Sequence, residues 1–422
     1  MACGGDSIDR LAACGARDGG APPRVLLYSH DTFGLGHLRR SRAIANALVT
    51  RCPDASVVIL SGSPVIGSFE FDAGVDYVRI PGVTKLPNGE YRTLNLNTPV
   101  EETVRLREAL IRQTAEAFDP DILIVDKEPT GFRGEIVPSL ERLARRGCRL
   151  VLGVRDVMDE PSLLVPEWER KGATEILARF YDEIWVYGLR DVYRPLESLG
   201  LPARIASRTT YTGYLRRDLP LPSAFAPNLP ITQEPFILVT TGGGGDGDDM
   251  IDWVISAYEA DPAIPHPALI VFGPFINRER RAGFLDRIAR HPKLDAIAFD
   301  TKLELLMGQA AGVVGMGGYN TFCEILSFDK PALIVPRTSP RREQLIRAHE
   351  AERLGLVRAI VDEGAGRDPA AMARALRDLP VQPPPSRIVV PGLLDGLEVI
   401  GDLFAASVAA RRAPTEMPIA AE

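Results

Sequence analysis

The sequence predicts an α/β protein made of two parallel-sheet domains in series, and three observations carry that prediction. Short β-branched runs alternate with segments of helical periodicity along most of the chain, the pattern of β-α-β units whose strands are buried on both faces. The alternation stops at a proline-rich, aperiodic stretch and then starts again. The length of 422 residues suits two domains better than one, at roughly 150 residues each.

RVLLYS (24–29) opens the first half as a buried strand, and LRRSRAIANALV (38–49) follows with helical spacing. SVVILSG (56–62), DILIVD (121–126), RLVLGVRD (149–156) and EIWVYG (183–188) are further strands, separated by segments long enough for helices. RRDLPLPSAFAPNLPITQEP (216–235) holds five prolines and reads as a linker. Beyond it, FILVTT (236–241), PALIVFG (267–273), DAIAF (295–299), AGVVGMG (311–317) and PALIVP (331–336) are strands again. The expected organisation is a mobile tail over 1–22, a first domain over 23–215, the linker, a second domain over 236–405 and a C-terminal tail over 406–422.

Composition removes several function classes. The charge of −7 carries no basic block, which argues against a protein that holds nucleic acid through charge. No run of 18 apolar residues is present, so no transmembrane helix is expected. MACGGDSIDRLAACGARDGG at the start has neither a basic n-region nor an apolar core and does not read as a signal peptide. Five scattered cysteines argue against a disulfide framework or a structural zinc site and suit the cytoplasm.

Candidate chemistry gathers at three glycine-rich strand-to-helix turns: HDTFGLGHLRRS (30–41), TGGGGDGDDM (241–250) and GMGGYNTFCE (315–324). Ligands of open α/β sheets bind beyond the strand carboxyl ends, where helix N-termini offer free N–H groups. Gly242, Gly243, Gly244 and Gly245 in a row exceed what a turn requires, because each glycine costs extra backbone entropy on folding. Gly34 and Gly36, or Gly242, Gly244 and Gly247, fit a dinucleotide fingerprint. The acid expected at the next strand end is missing, since Ser61-Gly62-Ser63 and Gly273-Pro274-Phe275 stand there, which weakens a nicotinamide or flavin reading. No P-loop motif occurs. Asp246, Asp248 and Asp249 look like a metal-binding pair, but Asp248 sits where a helix begins and capping accounts for it. No metal and no cofactor are expected.

The second half resembles the C-terminal domain of MurG-like glycosyltransferases, through GMGGYNTFCEILSFDKPALIVPRTSPRREQLIRAHEAERLGL (315–356). The shared pattern is a glycine pair, a threonine, a glutamate three residues later, then KPALIVP and a downstream glutamine. The first half matches more loosely, by a strand and a loop ending in Gly36-His37. The resemblance implies a GT-B fold, two Rossmann-like domains facing a cleft. It implies a nucleotide-sugar donor, UDP-linked, in the second half and a hydroxyl acceptor in the first. By the same resemblance Gly317, Gly318 and Thr321 lie at the donor diphosphate, with Asn320 in the same turn. Glu324 would hold the ribose hydroxyls and Gln344 the sugar, while the loop at 242–245 would close over the phosphates. The chain departs from the family at Met316-Gly317, where an Arg-Ser pair is usual, and in its first turn, so the acceptor stays open.

Chemistry supports some of these placements. Gly317 and Gly318 precede a helix N-terminus suited to a diphosphate, and a carboxylate such as Glu324 accepts twice from a vicinal diol. A capping or solvated acid is the plainer reading of Glu324, and a surface helix residue that of Gln344. His37 is the candidate general base, since an unperturbed imidazole titrates near neutrality. Acceptor or phosphate binding, with Gly34 and Gly36, is its competing role. His30 and Asp31 are second choices as base, and Asp126 a third. An inverting, metal-independent transfer is the leading mechanism, with a UDP-sugar epimerase or a non-catalytic nucleotide-sugar-binding protein as alternatives. Arg39, Arg40 and Arg42 form a basic group on one helix that could meet acceptor phosphate, anionic lipid or only water. A lipid-linked or saccharide acceptor and a peripheral contact with the inner membrane face therefore stay open, with no nucleic-acid partner.

Overall fold

The structure, a computed structural model, describes residues 22–31, 36–85, 90–219, 229–242, 246–273, 276–298, 303–362 and 367–412. In the first half β1 (Arg24–Ser29) leads to α1 (Gly36–Arg51), followed by β2 (Ser56–Ser61) and β3 (Val75–Arg79). β4 (Val83–Lys85) and β5 (Tyr91–Thr93) pair antiparallel apart from the main sheet, before the long α2 (Val100–Phe118). Then come β6 (Ile122–Asp126), α3 (Val137–Arg145), β7 (Arg149–Arg155), α4 (Pro161–Arg170), α5 (Ala173–Phe180), β8 (Glu183–Tyr187), α6 (Ala203–Ala206) and β9 (Thr209–Tyr211).

The second half runs β10 (Ile237–Thr240), α7 (Asp248–Ala260), β11 (Ala268–Val271), α8 (Arg278–Ile288), β12 (Leu294–Ile297), α9 (Leu303–Gln309) and β13 (Gly312–Gly315). It continues through α10 (Tyr319–Ser327), β14 (Ala332–Ile334), α11 (Glu343–Arg353), β15 (Arg358–Ala359), α12 (Pro369–Asp378) and α13 (Gly396–Arg412).

The first sheet has the order β3-β2-β1-β6-β7-β8-β9 and the second β12-β11-β10-β13-β14-β15. All pairings in both are parallel. The two α/β parallel sheets predicted from the alternation are therefore present. Central strands such as ILIVD and ILVT are buried at every position, as strands covered by helices on both faces must be. Strand order reverses between β1 and β6 in the first sheet and between β10 and β13 in the second. Those reversals open a crevice at the strand carboxyl ends, and each glycine-rich turn borders one.

Close packing dictates residue type inside the first sheet. A Cβ at Gly153 would stand 1.9 Å from the Tyr187 hydroxyl oxygen, so a neighbouring tyrosine on β8 leaves room only for glycine on β7. The apolar core is shared between halves. One cluster joins Ile44 and Leu48 of α1 to Tyr214, to Phe322 and Cys323 of α10, and to Ile400, Phe404 and Val408 of α13.

Several expectations need correction. Residues 406–412, read as tail, are the last turns of α13, which packs on α1 and is tied to it by Arg51 Nε donating to Asp402 Oδ1 at 3.1 Å. That helix belongs to the 236–405 segment by sequence yet buries its apolar side on the first half. β3, β9 and β15 leave no signal in the sequence, because they are short and only half-buried, without the long apolar runs that mark the central strands. Cys148 and Cys323 are buried free thiols.

Candidate active site

The first turn brings its chemistry to the β1/β6 reversal. Asp126 ends β6, and His37 is the second residue of α1, so the two approach across that crevice although 89 positions separate them. His37 Nδ1 lies 2.5 Å from Asp126 Oδ2. Arg40, one turn further along α1, donates through Nε at 2.9 Å and Nη2 at 2.7 Å to Asp126 Oδ1, and its Nη2 lies 3.0 Å from His37 Nδ1. Arg40 and Asp126 are buried.

The charges follow from this packing. Burial pushes the Asp126 carboxyl up, but Arg40 and His37 together outweigh it and hold the group far below the usual carboxylate range. Burial is also the main force on His37, lowering it to about 4 against the pull of Asp126. An ionised Asp126 can only accept, so the proton of the neutral imidazole sits on Nδ1 and Nε2 carries the lone pair. This is the tautomer a general base requires. His30, at the end of β1, is buried, pushed well below its ordinary range chiefly by desolvation, and has no partner at Nδ1. Asp31 is raised to about 6 by burial and accepts from Ser61 Oγ at 2.5 Å. Both line the same strand ends, so the structure gathers His30, Asp31, His37 and Asp126, and only His37 and Asp126 are bonded to each other.

The second half offers backbone where the first offers side chains. Gly317 has φ of 75° and a Cβ there would meet Ile334 Cγ2 at 2.8 Å, while Gly318 has nothing within 4 Å of a Cβ. Gly318 caps α10 with no side-chain bond, leaving the N–H groups of the first helical turn to face outward. Gly242, at φ 69°, follows β10 on the other side of the reversal, and its Cβ position lies 3.6 Å from Thr321 Oγ1. Gly242 and Thr321 thus lie side by side across the β10/β13 reversal, next to the turn that Gly317 and Gly318 form. Gly34, Gly243, Gly244 and Gly245 lie outside the described residues.

Asn320 and Glu324 are engaged in holding the halves together, and Gln344 in bracing its own half. Asn320 Nδ2 donates to the carbonyl of Gly36 at 3.0 Å and its Oδ1 accepts from Arg217 at 3.1 Å. Gln344 Oε1 accepts from the N–H of Arg337 at 2.9 Å. Glu324 is fully buried, and its Oε1 accepts from Arg39 Nη2 at 2.5 Å while Oε2 has no partner. Burial raises the Glu324 carboxyl and Arg39 opposes it. Arg39 also pairs with Glu304, so a first-half arginine covers the acid expected at the ribose.

The basic group on α1 is consequently no surface face. Arg39 and Arg40 are committed to Glu324, Glu304 and Asp126, and Arg42 lies over the Phe69 ring at 5.0 Å. The Asp246 to Asp249 acids are likewise paired, Asp246 with Arg337, Asp248 with Arg280, and Asp249 with Arg280 and Arg367. Gly247, not an aspartate, occupies the N-cap of α7.

Sequence reading missed the residues that join the halves. Arg347 of α11 is buried and donates to Asp156 at 2.8 and 2.7 Å and to the Gly317 carbonyl at 2.9 Å. It thereby fixes the Gly317 turn against the first half. Arg341 reaches Asp159 at 2.7 Å and Glu167 at 2.8 Å. Nothing local marks these arginines, because their partners lie 174 to 191 positions away.

Residues 237–379 match the model of the glycosyltransferase family 28 C-terminal domain. Among solved structures, Acinetobacter baumannii MurG superposes with a TM-score of 0.55 at 12% identity, over 91% of this chain and all of that one. A UDP-glucosyltransferase from Polygonum tinctorium gives 0.63 at 13%, over 92% of this chain and all of its own. A Medicago truncatula enzyme solved with UDP-glucose gives 0.61 at 14%, over 92% and 98%. No curated protein matches by sequence. Among the described residues no helix is long and apolar enough to cross a membrane.

Proposed function

We propose that the chain, whose residues 237–379 match the glycosyltransferase family 28 C-terminal domain, is a MurG-like glycosyltransferase that transfers the sugar of a UDP-sugar to a hydroxyl acceptor, with inversion and without a metal ion. The observation that carries this reading is the His37–Asp126 pair on α1 and β6 beside the Gly317-Gly318 helix N-terminus, the two turns being joined by Asn320 Nδ2 donating to the Gly36 carbonyl. His37 Nε2 takes the acceptor's hydroxyl proton as its oxygen attacks the anomeric carbon. The bond from that carbon to the diphosphate breaks on the opposite face, and the electron pair leaves with UDP. Asp126 holds the imidazole in the required tautomer and stabilises the imidazolium that forms, a contribution of ~10²–10⁴ for a positioned base.

The diphosphate charge is met by the first-turn N–H groups of α10 and the positive end of its dipole. Glu324 takes the ribose diol. Its unpaired Oε2 offers one acceptor at once, and Arg39 must yield Oε1 for the second. Donor binding on this reading exchanges an arginine contact for two hydroxyl contacts and loosens the hold of α1 on α10.

The test is thermal stabilisation by UDP followed by turnover. UDP should raise the melting temperature of the wild type, since a ligand bound only by the folded state stabilises it, and Glu324→Gln should lose most of that rise. His37→Ala should keep the rise and lose transfer. A wild type indifferent to UDP and to other nucleotide sugars would sink the reading. Interconversion of the donor sugar without any acceptor would replace transfer by epimerisation.

A further inference from the structure

Lys127 and Arg155 differ from the other cations around the crevice. Arg40 is bonded to Asp126, Arg347 to Asp156, Arg341 to Asp159 and Glu167, Lys171 to Glu128 and Glu167, and Arg337 to Asp246 and Glu343. Among the described residues the side chains of Lys127 and Arg155 make no hydrogen bond or ion pair, and Arg155 Nε is a buried donor without an acceptor. Both residues are half-buried, and cations that give up part of their hydration are normally paired, because desolvation without compensation is costly.

Their position gives the exception a use. Lys127 directly follows Asp126, in a left-handed conformation at φ 71° that bulky residues rarely adopt. Its N–H is donated to the Gly153 carbonyl of β7 at 2.6 Å. Arg155 ends β7, the neighbouring strand, so both side chains start from the carboxyl edge of the first sheet, where His37 stands. The carboxylates that bear on them, Glu128, Glu167, Asp156 and Glu343, are already held by other cations. Burial pushes the Lys127 ammonium down to about 8, with Arg155 adding to it, and Arg155 is also lowered by burial. Two half-buried positive charges therefore bear on each other beside the base, without a carboxylate bonded to either.

We propose that Lys127 and Arg155 form an anion site on the first half that grips a phosphoryl or carboxylate group of the acceptor, next to the hydroxyl that His37 deprotonates. The carrier of the anion rests on the glycosyl-transfer reading; the site itself does not. An anion here would supply the partner the fold withholds and anchor the acceptor at a fixed distance from Nε2. The donor's own diphosphate is the other source of the same chemistry, and the two are separable by experiment.

The full chain and its Lys127→Met/Arg155→Met variant are titrated with inorganic pyrophosphate while UDP is held at saturation, at constant ionic strength in chloride. UDP is titrated separately. Wild type should bind pyrophosphate in the presence of UDP. The variant should melt no lower than wild type without ligand, bind pyrophosphate at least tenfold more weakly, and bind UDP within twofold of wild type. A tenfold loss of UDP affinity in the variant would support the site with the donor diphosphate as the anion. Equal pyrophosphate binding by both proteins with UDP affinity unchanged, or no binding by wild type with UDP affinity unchanged in the variant, would overturn the proposal. A variant that melts well below wild type would overturn it too, by showing a structural role. Failure of wild type to bind UDP strikes the functional reading instead, and pyrophosphate titrated alone then judges the site.

Discussion

The turn after β1 and the turn after β13 stand at corresponding places, each beside the strand-order reversal of its own sheet. Beside the first, the described groups are side chains: His37 and Arg40 of α1 in contact with Asp126 of β6. In the second they are backbone: the left-handed Gly317, the open Gly318 and the free N–H groups that begin α10. The same topology thus serves two needs. Moving a proton requires a titratable group whose environment sets its pKa, whereas holding a diphosphate requires several N–H donors and room for the anion to approach.

The sharpest way to break that contrast is to take the side chain from the first turn. His37→Ala should lower kcat by ~10²–10⁴ with UDP affinity unchanged. A similar fall in UDP affinity would mean that the first turn binds the donor as the second does.

A pH profile sharpens it next. Burial lowers His37 to about 4, so the base of the free enzyme stays unprotonated until well below its ordinary value near 6.5. The acid limb of kcat/KM should lie below pH 5, falling tenfold per pH unit beneath it. The same depression means that His37 favours the fold above its unfolded pKa, and that this stability is lost as pH falls through about 4. An acid limb at pH 6.5, reported by kcat/KM for the wild type and absent in His37→Ala, would contradict the burial argument.

In the second turn the two glycines should separate. Gly317→Ala forces a Cβ into the left-handed region and within 2.8 Å of Ile334, and should destabilise by about 1–2 kcal/mol while weakening UDP binding. Gly318→Ala enters open space at φ −57° and should leave the melting temperature almost unchanged. Equal effects on stability would show that backbone conformation is not what singles out Gly317. Gln344→Ala removes the bond to the Arg337 N–H and should cost about 1 kcal/mol, read as a shift in urea midpoint.

Legibility in the sequence follows the same division. The second turn could be read because backbone chemistry shows up as residue type: glycines before a helix announce an N-terminus open to an anion. The first turn was readable only in part. His37 stood out as an imidazole at a strand end, and Asp126 as the last residue of an apolar run, but nothing local joined them or brought Arg40 to both. Lys127 and Arg155 carried no signal at all, since a lysine and an arginine at strand ends are ordinary until their lack of partners is seen. Gln344 and Asn320 were marked for the donor, and in the fold their amides also serve the backbone of Arg337 and Gly36.

The sequence by itself determined the two parallel sheets, the turns that border their crevices and the glycines those turns require, because periodicity and backbone freedom are local properties. Only the tertiary structure decided which charges meet. His37 with Asp126, Arg39 with Glu324 and Arg347 with Asp156 are 89, 285 and 191 positions apart. Their protonation and strength depend on burial and on the third group each pair touches, quantities that exist only once the two halves have packed against each other.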